Sequence, residues 1–267
     1  MNTADANQQT PAVWRVAAAA ALVVTLVLLG PLFVCEPPWS DATHWDVIAQ
    51  ELLKGKLLYR DVMETNLPGA ALVHVPLRAL FGYRSEVLHA FDLLVIGALA
   101  YLLPRIALGP AAHAARAFAA AAMLLFYFAL APVCHCQRDF WMMLPMTLAL
   151  WLRSNQLRAD DRSWPRLVGL ALLEGLCWGL AVWIKPFSII PAAAEWLVGL
   201  LWTLRTRSAS YARAAGDTAG LIAGGLAAGA IGFAWLYASG TAPYFWDVML
   251  HWSGEYRAIA TWPRRLG

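Results

Sequence analysis

Two carboxylates and three cations are the residues most able to do chemistry in this chain. Asp41 and Asp139 stand just outside apolar segments, and Arg60, Arg138 and Lys185 stand in three separate polar stretches between such segments. If the apolar segments alternate across a membrane, all five fall on one face. Acid plus cation at a membrane surface suits group transfer from a lipid-phosphate donor. A departing phosphate is already a stable anion, so it needs positive charge more than a general acid. An acceptor hydroxyl needs a carboxylate base within hydrogen-bond reach. Nothing in these charges identifies the group transferred.

Each residue also has a plainer reading. Ser40 or Asp41 can cap a helix N-terminus. Asp139, in Gln137-Arg138-Asp139, can favour the dipole of the helix that follows. Arg60, Asp61, Glu64 and Asn66 form a turn cluster that can be a solvated loop with a local ion pair. Lys185, before Pro186, can snorkel. Deeper in the apolar segments, His89 and Asp92 are three apart and share a helix face. Glu174 and Glu195 are also at depth, where ionisable groups are costly. These four fit buried structural pairs or a proton path equally well.

The elements that must position these residues follow from composition. Of 267 residues, 60% are hydrophobic and only 14% charged, against about 45–50% and 25% in soluble domains. The mean hydropathy is +0.55. A net charge of +3 with only Lys54, Lys56 and Lys185 as lysines leaves no basic stripe for nucleic acid. The apolar runs are continuous, unlike the alternating segments of a membrane barrel. The expected fold is therefore all-α: a polytopic transmembrane bundle of about seven spans, forming one unit over 1–267. The spans are predicted at 12–35, 87–108, 117–133, 140–152, 167–184, 187–204 and 218–238. Residues 239–267 are read as an outer C-terminal segment. Glycines crowd the seventh span, as close helix packing requires.

Arg15, Arg105, Arg116, Arg153, Arg158, Arg162, Arg166, Arg205, Arg207 and Arg213 fall on one side of this scheme, read as cytoplasmic. The outer side carries as many basic residues, but mixed with acids such as Glu36, Asp46, Glu51 and Glu86. Cys35, Cys134, Cys136 and Cys177 are too few for a disulfide framework and read as small apolar residues. The longest outer loop, 36–86, is the most informative. Trp45, Ile48, Ala49, Leu52 and the neighbouring Leu53 sit at helical spacing, with Gly55 as a stop. This amphipathic helix is expected to lie along the membrane surface. A turn over 58–68 leads to a second short helix over 69–81, interrupted by Pro76 and Arg78 and ended by Gly82.

The run from Asp41 to Gly55, with an aromatic at Trp45, then Ile48-Ala49 and Leu52-x-x-Gly55, resembles the first-loop signature of GT-C glycosyltransferases. Tyr59-Arg60-Asp61-Val62 and Glu64-Thr65-Asn66-Leu67-Pro68 are similar to a stretch of the bacterial branch, the protein-mannosyltransferase-like and lipopolysaccharide-sugar transferases. Phe81-Gly82, Gln137-Arg138-Asp139, and Gly175 to Pro186 with its Gly-x-x-x-Gly and terminal Lys185-Pro186, resemble further family features. The resemblance covers 41–186. It implies a polyprenyl-phosphate-linked sugar donor, a glycan, lipid or protein acceptor, and an inverting displacement on the periplasmic face of a bacterial inner membrane. Asp41 would be the general base and Asp139 its partner carboxylate. Arg60, Asp61, Glu64, Arg138 and Lys185 would line the substrate site. No cofactor is certain; a divalent metal between Asp41 and Asp139 is one possibility. Family members carry more spans than this chain, so it is expected to be a fragment or a short relative. Two other readings stay open: a non-catalytic membrane subunit, and a small transporter using the intramembrane carboxylates.

Overall fold

The computed structural model describes residues 11–109, 112–158, 163–206 and 211–252. Arg162, Arg207 and positions 253–267 of the expected C-terminal segment lie outside them. The described residues form ten α-helices: α1 Ala12–Val34, α2 Ser40–Leu53, α3 Gly69–Phe81, α4 Ser85–Leu108, α5 His113–Phe128, α6 Arg138–Arg158, α7 Trp164–Ile184, α8 Ile189–Thr206, α9 Tyr211–Ala238 and α10 Ala242–Asp247. Short 3₁₀ turns fill Pro132–Cys134 and Pro186–Ser188, and a π-turn runs from Val248 to Trp252.

A helix lies within each of the seven predicted spans, and among the described residues five are long and apolar enough to cross a membrane: α1, α4, α7, α9 and Pro186–Arg205, which contains most of α8. The other two lie where crossings are predicted but miss that measure, one by length and one by charge. Helix α5 has 16 residues, about 24 Å at 1.5 Å per residue, short of a ~30 Å hydrocarbon core. Helix α6 has 21 residues but carries Arg138 and Asp139 in its first turn and Arg153 and Arg158 near its end. Arg153 and Arg158 were expected in a loop; the helix runs past position 152 and takes both.

Close packing of α7 on α9 organises the second half of the chain, the most extensive helix pair in the structure. A Cβ added at Gly175 would collide with the Leu221 carbonyl, and one at Gly224 with that of Leu172. Glycine is therefore what lets the two backbones touch. A first core gathers Phe33, Leu88, Val95, Leu99, Leu124, Tyr127 and Trp141 from α1, α4, α5 and α6. A second joins Trp45, Ile48, Leu58 and Tyr59 to Ala70, Leu236, Phe245 and Val248. The buried residues of α2 repeat at the predicted helical spacing, and this second core seats the α2–α3 hairpin on the ends of α9 and α10.

The hairpin is held by charge as well. Asp46 of α2 accepts from His74 Nδ1 at 2.8 Å and from Arg78 Nε at 2.8 Å, both on α3, and Arg78 Nη2 closes a second bond to it. Arg78 Nη1 also holds the Gly82 and Arg84 carbonyls. Every nitrogen of Arg78 thus has an acceptor, and its side chain is fully buried. Gly82 ends α3 at φ +76°, a conformation favouring glycine.

Candidate functional site

Four elements meet at one end of the bundle: the start of α2, the 57–68 turn, the start of α6 and the end of α7. Arg138 and Asp139 open α6. Lys185 follows α7 with an extended backbone, φ −151° and ψ 114°, and its Nζ forms an ion pair with Asp139. Arg138 Nη2 donates to Asn66 Oδ1 at 3.0 Å. The guanidinium lies 5.0 Å from the ring centroid of Trp45, a cation–π arrangement. Arg138 Nη1 is buried and has no hydrogen-bond partner among the described residues.

The turn beneath is organised around one buried carboxylate. Glu64 is only 4% exposed. Its Oε1 accepts from Thr65 N at 2.7 Å, Asn66 N at 2.8 Å and Asn66 Nδ2 at 2.6 Å, while Oε2 bonds His44 Nε2 at 2.8 Å. Burial pushes this carboxyl upward. The hydrogen bonds from His44 and Asn66 outweigh it and leave the group below its ordinary value. Glu64 therefore stands as an anion whose oxygens are taken by the protein. Tyr59 OH donates to the Asn66 carbonyl at 2.7 Å.

Two non-glycine residues have left-handed backbones: Tyr59 at φ +67° and Cys136 at φ +57°. Both lie on the chain leading into site residues, Tyr59 before Glu64 and Asn66, Cys136 two positions before Arg138. Conformations of this kind cost of order 1 kcal/mol or more and persist where surroundings impose them. For Cys136 the cause is visible: its N–H donates to Asp92 Oδ2 at 2.9 Å. Asp92 is fully buried, and it also accepts from Tyr127 OH at 2.6 Å and Trp141 Nε1 at 2.7 Å. Three donors satisfy it, so Asp92 anchors the α5–α6 connection that delivers Arg138 and Asp139. His89, paired with Asp92 on a face in the sequence reading, bonds instead to the Ser85 carbonyl at 3.2 Å. His135 ties the same connection to α1 through Glu36 Oε2 at 2.6 Å.

Among the sequence-predicted residues, Arg138, Asp139 and Lys185 come together, with Glu64 one contact removed behind Asn66. Arg60 and Asp61 turn elsewhere. They form a bidentate pair at 2.8 Å in each bond, Asp61 takes the Leu57 N–H, and Arg60 lies 5.7 Å over the Tyr244 ring. That pairing, with the Leu57 bond, lowers the Asp61 carboxyl to about 2. Asp41 is exposed in the first turn of α2 and is not the cap; Trp39 occupies that position. It makes no side-chain hydrogen bond among the described residues, and it lies one helical turn from Trp45 on the same face. Asn66 and Trp45 carry the guanidinium, a role sequence order did not reveal; the signal was an amide two positions from a turn carboxylate.

The bundle also holds an apolar cavity of about 480 Å³ with no charged side chain in its lining. It lies between α3, α4, α6, α7 and α9, and includes Val73, Trp141, Leu180, Trp183 and Ile184. Two of its lining residues, Trp141 and Ile184, stand close in sequence to Asp139 and Lys185, but side chains one or two positions apart on a helix face different ways, and none of the charges lines the cavity. No group of three or more His, Cys, Asp or Glu side chains among the described residues is placed to hold a metal ion. Asp139 is already committed to Lys185, which fits poorly with a shared metal at Asp41 and Asp139.

A second polar cluster lies in the other half of the bundle. Arg153 of α6 donates to Glu174 Oε1 of α7 through Nε at 3.1 Å and Nη2 at 3.0 Å, and to Asp217 Oδ2 of α9 through Nη1 at 2.6 Å. Glu195 of α8 accepts from Trp178 Nε1 at 2.9 Å. Comparison with family models, curated proteins and solved structures gave no match.

Proposed function

We propose that this chain is a membrane glycosyltransferase of the GT-C type. It crosses a bacterial inner membrane about seven times and works on the periplasmic face, where the α2–α3 hairpin lies along the membrane surface. The observation that carries this reading is the Arg138, Asp139 and Lys185 cluster at one end of the bundle, in a chain that also holds an apolar cavity among its helices. A polyprenyl phosphate has the same two parts: a long apolar chain and a compact anion. The cavity suits the chain, and Arg138 and Lys185 suit the phosphate.

In this reading a sugar passes from polyprenyl phosphate to a hydroxyl of a glycan, lipid or protein. Asp41 takes the proton of that hydroxyl as its oxygen attacks the anomeric carbon. The bond from that carbon to the phosphate oxygen breaks, with inversion, and its electron pair leaves on the phosphate. Asp139 holds Lys185 beside the leaving group. Arg60 and Asp61, turned toward Tyr244, would meet the acceptor or the donor sugar rather than the phosphate. Exposure of Asp41, with its carboxylate not engaged by another described side chain, supports its assignment as base.

The test uses the full chain in nanodiscs with a polyprenyl-phosphate-linked hexose and the acceptors of a bacterial envelope extract. Asp41→Asn is expected to retain donor binding and lose transfer by at least about a hundredfold, the span of a general base. Normal turnover by Asp41→Asn would remove it as base. Absence of donor binding to the unaltered chain would remove the transferase reading.

A further inference from the structure

We propose that Glu64 and Asn66 are positioning residues for Arg138, fixing its guanidinium so that its unpaired edge is presented to a phosphate oxygen. The proposal rests on the phosphate-binding reading of this site and adds how the anion position is built. It begins from an ambiguity of the amide group. A primary amide beside a guanidinium can present either its oxygen or its nitrogen, and only the oxygen accepts a hydrogen bond. Glu64 removes the choice. Its carboxylate is acceptor-only, and Oε1 lies 2.6 Å from Asn66 Nδ2. The amide nitrogen therefore faces Glu64, and Oδ1 faces Arg138 Nη2 at 3.0 Å.

The amide is fixed by its own backbone as well. Glu64 Oε1 also holds the Asn66 N–H at 2.8 Å, and Tyr59 OH holds the Asn66 carbonyl at 2.7 Å. His44 keeps Glu64 in place from the other side, at 2.8 Å. Trp45 lies over the guanidinium at 5.0 Å. Arg138 is thus held at one edge and on one face.

What remains is Nε and Nη1, neither with an acceptor among the described residues, and of the two only Nη1 is sealed from solvent. Buried donors are nearly always paired, so an orphan on a charged group asks for an explanation. Arg78 and Arg153 show what structural arginines look like here: all three of their nitrogens have acceptors. Arg138 differs from both; Arg116, near the start of α5, also has an unpaired buried Nη1, but Arg138 adjoins Asp139 and so borders the Lys185–Asp139 pair. A phosphate oxygen supplies the missing acceptor, with a geometry the planar guanidinium matches.

The test is titration calorimetry of the full chain in nanodiscs with farnesyl phosphate as probe. Arg138→Ala and Asn66→Ala are each expected to weaken binding about tenfold, the value of one charge-assisted hydrogen bond. The double variant should bind no more weakly than Arg138→Ala alone, because Asn66 acts only through Arg138. Glu64→Gln fills the same space but lets the amide turn over, and should lose a smaller factor; it keeps the measurement readable if Asn66→Ala does not fold. In a transfer assay Asn66→Ala should lower kcat/KM for the donor at least as much as it weakens binding, because Arg138 then holds the departing phosphate less firmly. Unchanged affinity in Asn66→Ala, or additive losses in the double variant, would overturn the proposal. So would failure of the unaltered chain to bind farnesyl phosphate. Binding with the expected pattern but without sugar transfer would sink the transferase reading and leave this proposal standing.

Discussion

Arg138 and Arg153 lie on the same helix, fifteen residues apart, about 22 Å at 1.5 Å per residue, and their surroundings obey opposite rules. Arg153 is 4% exposed and donates from every nitrogen to carboxylates of α7 and α9. Arg138 is half-buried, touches an amide oxygen and an indole ring, and keeps two nitrogens, Nε and Nη1, without an acceptor among the described residues. The first arrangement is closed. It ties three helices together and offers a guanidinium nothing more to bind. The second is open, and its neighbours Asp139 and Lys185 reach the surface, with side chains 48% and 24% exposed. What separates the two is which groups are left over: around Arg153 they are carboxylate oxygens of Glu174, Glu195 and Asp217, and at Arg138 they are donors of the guanidinium itself.

The largest effect expected from this contrast is on stability in the closed cluster. Arg153→Met removes the only cation among Glu174, Asp217 and Glu195. Buried carboxyls left without it should cost about 3–5 kcal/mol, read as a lowered unfolding midpoint in mixed micelles. Arg138→Met should cost about 1 kcal/mol or less, since it breaks one hydrogen bond to a half-buried amide. Equal losses would erase the distinction drawn between them. Asp92→Ala comes next. It strands the Tyr127 hydroxyl, the Trp141 indole N–H and the Cys136 N–H, and should cost about 3 kcal/mol at ~1 kcal/mol per donor. The same variant should lower activity at the site by displacing the start of α6, an effect that Arg153→Met should not reproduce at equal residual fold. Lys185→Met is smaller. Its pair with Asp139 is partly exposed and worth under about 1 kcal/mol, so the fold should stand while farnesyl phosphate binding weakens.

The sequence carried the local half of this picture well. Trp45, Ile48, Ala49 and Leu52 lie on one face of α2, so that helix was legible from spacing. The α3 stop at Gly82 and the placement of Asp139 in a first helical turn were legible for similar reasons. The distant half was not. Asn66 and Arg138 are 72 positions apart, and neither residue's neighbours in sequence announce the other. Arg153 was read as a loop cation because position 152 ended the apolar run. Only its burial against Glu174 and Asp217 lets α6 continue past that point. The same pairing explains why Glu174 left two readings open: a carboxylate in an apolar segment needs a partner, and sequence does not say which helix supplies it. Residues of the 57–68 turn look alike in composition, yet Glu64 is buried under four bonds while Arg60 and Asp61 face outward.

Acid sharpens the comparison once more, now within the α2–α3 hairpin. Asp46, His74 and Arg78 form a closed cluster like that of Arg153, but outside the spanning helices. Burial holds the His74 imidazole below its ordinary value, against the opposing pull of Asp46. For Asp46, burial pushes upward, and the bonds from His74 and Arg78 outweigh it and leave the carboxyl below its ordinary value. Both shifts carry the same sign. Between the folded and ordinary values of His74 the unfolded chain holds more protons, so stability falls as pH drops below about 6.5. Asp46 adds its contribution above about 3.9 and loses it as pH falls further toward its folded value. Amide exchange in α2 and α3 should therefore quicken in two stages on acidification. His74→Gln should abolish the first stage and keep the second. The Glu64 carboxylate, also below its ordinary value, should hold the 57–68 turn closed through the first stage. If the turn and the hairpin loosen together near pH 6.5, the site end is one cooperative unit, and the separation of packing charge from binding charge fails there.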